Sequence, residues 1–257
     1  MIPCEFWPAL VVIHFLNSTR STYQTRELSA IYRGLEARIM TNQQEEFNGI
    51  DLYTWATPNG RKVSIMLEEL ELPYRVFPVD ITQGDQHRPE FLAFSPNNKI
   101  PAIIDHETGA GMMESGAILM YLAQKTGKLM QSSGDKYWQQ MQWLMFQMGH
   151  VGPMLGQTHH FVKFNPGKAP YAEERYSKEN ARLYEVLENR LQERDFICDD
   201  YSIVDIATWP WISRYEFQQM NLSDYPRLKT WYLRVAERPA VKRGYAVPRN
   251  LSVPIPD

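Results

Sequence analysis

From Ile50 onward the apolar positions keep two rhythms, a strand alternation and a helical spacing, and the switches between them mark the elements. "IDLYTW" (Ile50 to Trp55) is a β-branched and aromatic run of strand length. "TPNG" (Thr57 to Gly60) breaks it, and Val63, Met66, Leu67 and Leu70 then recur at helical spacing until Pro73. "YRVFPVD" (Tyr74 to Asp80) predicts a second strand, which its internal proline assigns to a sheet edge. Gly84 to His87 reads as a loop, "RPEFLAF" as a short helical piece and "SPNNK" as another loop. "IPAIID" (Ile100 to Asp105) predicts a third strand, and Gly109 and Gly111 mark a turn into a short fourth one at Met112–Met113. Ser115 then opens a helix with Ile118, Leu119 and Leu122 on one face.

That order, βαβ followed by ββα, is a thioredoxin-like topology with a mixed sheet. After Gly127 the strand signals vanish. Tyr137, Met141, Leu144, Met145 and Met148 form a helical stripe, expected to break at "GHVGPMLG". A second helix is expected from about Tyr171 to Arg194, with Tyr176, Leu183, Leu187 and Leu191 on its apolar face. Ser202-Ile-Val-Asp205 has the form of a capping box and opens an aromatic helix that Pro210 is expected to kink. Pro226 to Arg238 predicts one more helix, followed by a Pro-rich, extended tail after Gly244. The fold class is therefore an α/β thioredoxin-like half followed by an all-α half. The expected boundaries are an N-terminal extension at 1–49, a sheet domain at 50–127 and a helical domain at 128–257. The extension is polar from Asn17 to Asn48, with weak helical periodicity at Ile31, Leu35 and Ile39, and Met40 offers an alternative start of translation. No chemistry is assigned to it.

Composition narrows the function classes. A chain of 257 residues can bury a real core, and 44% hydrophobic with 22% charged residues excludes wholesale disorder. A net charge of -3 leaves no electrostatic footprint for nucleic acid. The longest apolar run, Pro8 to Leu16, falls short of the ~18 residues that cross a bilayer, and it lacks the basic flank and cleavage site of an export signal. The two cysteines, Cys4 and Cys198, are far apart, so neither a disulfide framework nor a cysteine metal site is suggested, and a reducing cytosol is the expected compartment. His159-His160 has no acidic or cysteine partner at ligand spacing, so no metal is expected.

Three short motifs carry candidate chemistry. In Trp55-Ala-Thr57-Pro58-Asn59-Gly60, a strand-to-helix turn offers a hydroxyl, an amide and free backbone N–H groups to a visiting anion. A thiol near pKa ~8.5 needs only such donors to ionise substantially at neutral pH. The same residues also suit a plain turn and helix cap. In Asn98-Lys99-Ile100-Pro101, the proline before a buried strand is a place for a cis bond that leaves the Ile100 backbone free to pair with an extended peptide, while Lys99 can attract a carboxylate. An ordinary turn is the plainer alternative. Glu114-Ser115-Gly116 pairs an acid for an ammonium with a helix N-terminus for a carboxylate, although such a motif is often just a cap. Tyr53, a conceivable thiol donor, lies inside the first strand and is expected to pack against the sheet, and Asp205 is expected to cap rather than to act as a base.

Taken in order, strand-"TPNG"-helix, "SPNNKIPAIID", "ESGAILMYLA", "YSIVDIATWPW" and "RPAVKRG" resemble the glutathione transferase superfamily over about Ile50 to Val247. Within it they are most similar to the bacterial and fungal nu-class branch, which includes disulfide-bond reductases. The resemblance implies a glutathione-dependent enzyme acting on an electrophile or a disulfide, and a homodimer. It implies that Thr57 and Asn59 contact the thiol, that Ile100 with Lys99 and Pro101 pairs with the cysteinyl part, and that Glu114 and Ser115 hold the γ-glutamyl end. Gln86 would contact the glycyl end, and Gln142 and Arg175 would reach the same region or a second glutathione. Departures at Met145, Gln147 and His87 bear on substrate preference. The rival class is a non-catalytic binding or regulatory module on the same fold.

Overall fold

The computed structural model describes residues 47–256. The readings that concern Cys4, Pro8 to Leu16, the periodicity at Ile31, Leu35 and Ile39, and a start at Met40 lie outside the described residues.

Four strands, β1 (Ile50–Thr54), β2 (Tyr74–Pro78), β3 (Ala102–Asp105) and β4 (Ala110–Met113), form one sheet in the order β2-β1-β3-β4. β1 runs parallel to β2 and antiparallel to β3, and β3 is antiparallel to β4. The proline-bearing β2 thus takes an edge, where a missing N–H breaks no ladder. Alternation splits the strands between two cores. Ile50, Leu52 and Ile103 face the helices, whereas Tyr53, Ala102 and Ile104 pack with Phe91 on the other face. The register that sets Leu52 opposite Ile103 and Tyr53 opposite Ala102 keeps both sets in phase.

α1 (Pro58–Leu70) joins β1 to β2, α2 (Pro89–Leu92) is a single turn before β3, and α3 (Ser115–Thr126) closes this half. The helical half comprises α4 (Gly134–Phe146), α5 (Gly152–Thr158), α6 (Pro170–Arg190), α7 (Ile203–Ile212), α8 (Pro226–Ala236) and α9 (Pro239–Tyr245). α1 is the shared element: it packs against α3, and against α7 and α9 of the helical half.

Several element boundaries differ from the sequence reading. The third strand begins at Ala102, because Ile100–Pro101 is a cis bond and Pro101 has no N–H to offer a ladder. The break expected at "GHVGPMLG" is absent: α4 passes through a wide helical turn, Gln147–Val151, into α5. Pro153 is tolerated there because the wide turn directly before it accommodates the N–H that proline lacks. The helix expected to end at Arg194 stops at Arg190, the helix expected from Pro226 to Arg238 is α8, and α9 follows it as a helix the sequence reading did not include. The capping box is present at α7, where Asp205 also accepts from the Ile197 N–H and the Trp231 indole.

Candidate functional site

The packing of α1 against α7 brings the start of one helix beside the end of the other. A cleft of about 550 Å³ opens at this junction, lined among others by Asn59, Lys62, Ile100, Glu114, Ser115 and Gln147. It continues into a smaller lobe of about 290 Å³ that shares Asn59, Lys99, Ile100 and Trp211 and adds Thr57 and Gln86.

Thr57 is the N-cap of α1, and its Oγ1 accepts the Gly60 N–H at 3.2 Å. Capping uses an acceptor lone pair, so the hydroxyl proton remains available to the cleft. Gly60 is demanded by this turn: a Cβ there would lie 2.2 Å from the Trp55 carbonyl oxygen. Asn59 is oriented by Trp211, whose indole Nε1–H donates to Asn59 Oδ1 at 3.0 Å. An indole is a donor only, so the Asn59 side chain must present its oxygen to Trp211, leaving the NH₂ group for other partners. Trp211 is itself held: its carbonyl accepts from Gln218 Nε2 at 2.9 Å, and its ring stacks on His159. Gln218 Nε2 also meets His159 Nε2 at 3.1 Å, which makes that ring nitrogen the acceptor. Burial, with Arg214 adding to it, pushes the His159 imidazolium down to about 4, so the ring is neutral at physiological pH. That imidazole belongs to the scaffold of Trp211.

Across the cleft, Ile100 precedes the cis proline, and no backbone hydrogen bond engages its N–H or carbonyl among the described residues. Ser95 Oγ donates to the Lys99 carbonyl at 2.8 Å and fixes the approach to that segment. At the far end Glu114 has φ 69 and ψ 110, an uncommon backbone state for a residue with a side chain, and it leads into α3 at Ser115. This places an exposed carboxylate beside the free N–H groups of a helix start.

Of the residues singled out in the sequence, Asn59, Lys99, Ile100, Pro101, Glu114 and Ser115 line the main cleft, and Thr57 and Gln86 the smaller lobe. Gln142 and Arg175 are elsewhere. Gln142 is exposed on α4, and Arg175 lines a separate groove of about 500 Å³ with Tyr171 and Lys178. Tyr53 is buried and stacked on Phe77, and burial raises its phenol well above the usual range. Cys198 is likewise buried, with its thiol pushed up to about 12 by desolvation. Among the cleft residues that the sequence reading did not assign to the site are Trp211, Lys62 and Gln147. Lys62 stands three positions after Asn59, on the same side of the helix, and that spacing was the available signal for one of them.

What such a cleft can do chemically is to hold an extended peptide-like ligand by its backbone and ends, with an anion at the N-terminus of α1. Known proteins point the same way. The model of the glutathione S-transferase N-terminal domain matches residues 52–129, and that of the C-terminal domain matches residues 151–239. The disulfide-bond oxidoreductase YfcG of Escherichia coli K12 is 49% identical over 197 residues, covering 74% of this chain and 92% of that protein. A glutathione transferase from Pseudomonas putida, solved with one glutathione disulfide per subunit, superposes with a TM-score of 0.73 at 39% identity, covering 82% of this chain and 96% of that one. One from Burkholderia graminis, solved with two glutathione molecules per subunit, gives 0.73 at 40% identity over 90% and 98% of the two chains.

Proposed function

Because the chain belongs to the glutathione S-transferase family, we propose that it is a glutathione-dependent enzyme whose main reaction is thiol–disulfide exchange. The observation that carries this reading is the placement of Thr57 and Asn59 at the N-terminus of α1, inside a cleft with no cysteine among the described residues that line it. The protein supplies donors where a thioredoxin-type fold would place a redox thiol, so the nucleophilic sulfur must arrive with the ligand. Glutathione fits the remaining features. The free Ile100 backbone pairs with its cysteinyl unit, Glu114 takes the ammonium and Ser115 the carboxylate of its γ-glutamyl end, and Gln86 lies toward its glycyl end. Lys99 adds positive charge along the same wall.

With its sulfur held as thiolate by the Thr57 hydroxyl, the Asn59 amide and the helix N-terminus, glutathione attacks one sulfur of a disulfide. The old S–S bond breaks, a new one forms to glutathione, and the departing thiolate takes a proton from solvent. A second glutathione then resolves the mixed disulfide. Two glutathione thiols are thereby oxidised to glutathione disulfide and the substrate disulfide is reduced to two thiols. The same thiolate also suits transfer to carbon electrophiles. We place Gln142 and Arg175, outside the cleft, among contacts for a second ligand or subunit rather than for the first glutathione.

The enzyme is further proposed to be a cytosolic homodimer. Among the described residues no helix is long and apolar enough to cross a membrane, and Cys198 is a free thiol. Trp138, at 61% exposure, and Met145, at 49%, lie two turns apart on one face of α4 with Gln142 between them, a surface suited to a second copy. Calorimetric titration with glutathione and with glutathione disulfide, beside a turnover assay on a small disulfide, tests the function. Binding with turnover is expected. Absence of binding to either ligand would end the reading, and binding without turnover would make the chain a binding module.

A further inference from the structure

Lys62 lies one helical turn beyond Asn59 on α1 and is 1% exposed, yet it lines the cleft. Its Nζ donates to Gln147 Oε1 at 2.8 Å, to Ser115 Oγ at 3.3 Å and to Met148 Sδ at 3.3 Å. These are neutral acceptors. Glu114 acts on the ammonium only through space, and among the described residues no carboxylate is paired with it. A buried cation without a counter-ion is costly, so its charge demands a partner that the chain does not supply.

Its neighbours point to where that partner sits. Gln147 turns its oxygen to Lys62, which leaves Nε2 buried, without a hydrogen-bond partner and at the cleft wall. Ser115 accepts from Lys62, so its own proton is free for a stronger acceptor than Met148 Sδ at 4.0 Å. The free Ser115 proton, the Lys62 charge and the start of the 12-residue α3 meet at one spot, while the unused Gln147 Nε2 lies along the same wall beside Gly152. The other charged groups lining this cleft are Glu114 and Lys99.

We propose that Lys62, seated by Gln147, is the counter-charge for the γ-glutamyl carboxylate of the bound tripeptide, and that ligand binding draws a proton onto it. This rests on the glutathione reading above and adds a proton linkage to it. In the unoccupied protein burial pushes the Lys62 ammonium down to about 7, with Glu114 opposing, so near neutral pH part of the population is neutral. A carboxylate beside Ser115 favours the charged form and raises that value again. The sign follows: affinity for the carboxylate is full below about pH 7 and declines as pH rises through the unoccupied-state value. Thiolate formation has the opposite trend, so KM and kcat should separate with pH.

The test is calorimetric titration of the full chain with S-methylglutathione, whose capped thiol cannot itself ionise. It is run between about pH 6 and about pH 8, in two buffers of different ionisation enthalpy. Wild type is expected to take up roughly half a proton near pH 7 and to lose several-fold in affinity across that range. Lys62→Met is expected to bind about tenfold more weakly at the acid end, with no uptake and a flat profile. Gln147→Ala should bind more weakly but keep the uptake. If Lys62→Met binds like wild type with the same proton uptake, the proposal is wrong. Should that variant not fold, wild type alone decides, since a flat affinity with no uptake also overturns it. Failure of wild type to bind the capped tripeptide at any pH would instead bring down the glutathione reading and this proposal with it.

Discussion

At the residue scale the cleft depends on orientation as much as on identity. Asn59 can serve a sulfur anion only if its NH₂ faces the cleft, and the Trp211 indole at 3.0 Å enforces that choice. Trp211→Phe keeps the ring stack on His159 but removes the N–H, so the Asn59 amide is free to turn. The bound thiol is expected to become roughly one pKa unit less acidic and the rate at neutral pH to fall about fivefold, with glutathione affinity little changed. Combined with Asn59→Ala, the Trp211 change should add nothing further, because it acts through Asn59. A full additional loss in the double variant would show that Trp211 acts by another route. The sequence displayed Thr57 and Asn59 because cap and turn chemistry is local. It hid Trp211, whose role requires a partner 152 positions away, and Gln147, 85 positions from Lys62, because such pairs exist only once the helices are packed.

At the element scale the molecule turns on α1, which the sheet half contributes and the helical half grips. Gly244 of α9 lies against it so closely that a Cβ would fall 2.6 Å from the Ile65 backbone, and the Gly244 carbonyl accepts from Ser64 Oγ at 2.7 Å. Gly244→Ala is therefore expected to push α9 off α1 and to cost about 1–3 kcal/mol, read as a lower denaturant midpoint with an unchanged slope. An unchanged midpoint would mean that α9 yields without cost. Asp205 illustrates the other way elements are joined. Burial raises its carboxyl to about 6, while the N–H groups of Ile197 and Ser202 and the Trp231 indole pull it back. Asp205→Ala leaves those buried donors unpaired and should cost about 3 kcal/mol, by the same denaturant measurement. Strand periodicity and the capping box made most elements legible. The α4–α5 junction was misread because Gly and Pro normally interrupt helices, whereas here a wide turn absorbs them and sets Gln147 against Lys62.

At the scale of the whole molecule the two-part architecture was legible, since the loss of strand rhythm after Gly127 coincides with the end of α3. What periodicity could not supply was how the halves meet, and the cleft exists only at that meeting. Assembly is the next level. If the Trp138–Met145 face of α4 covers a second copy, light scattering on the eluted protein should give twice the 30.1 kDa chain mass, and Trp138→Glu should shift it toward the single chain. A parental protein that elutes as a single chain would remove the dimer from the account. The central claim, however, is that this cysteine-free helix start holds the sulfur of glutathione as its thiolate. The most direct measurement follows the ultraviolet absorbance of bound glutathione thiolate through a pH titration of wild type, Thr57→Ala and Asn59→Ala. The bound thiol of wild type should ionise well below the ~8.5 of a free thiol, and each variant should raise it by about one to two units. A wild-type curve matching free glutathione, or two variants that retain the parental curve, would contradict the account.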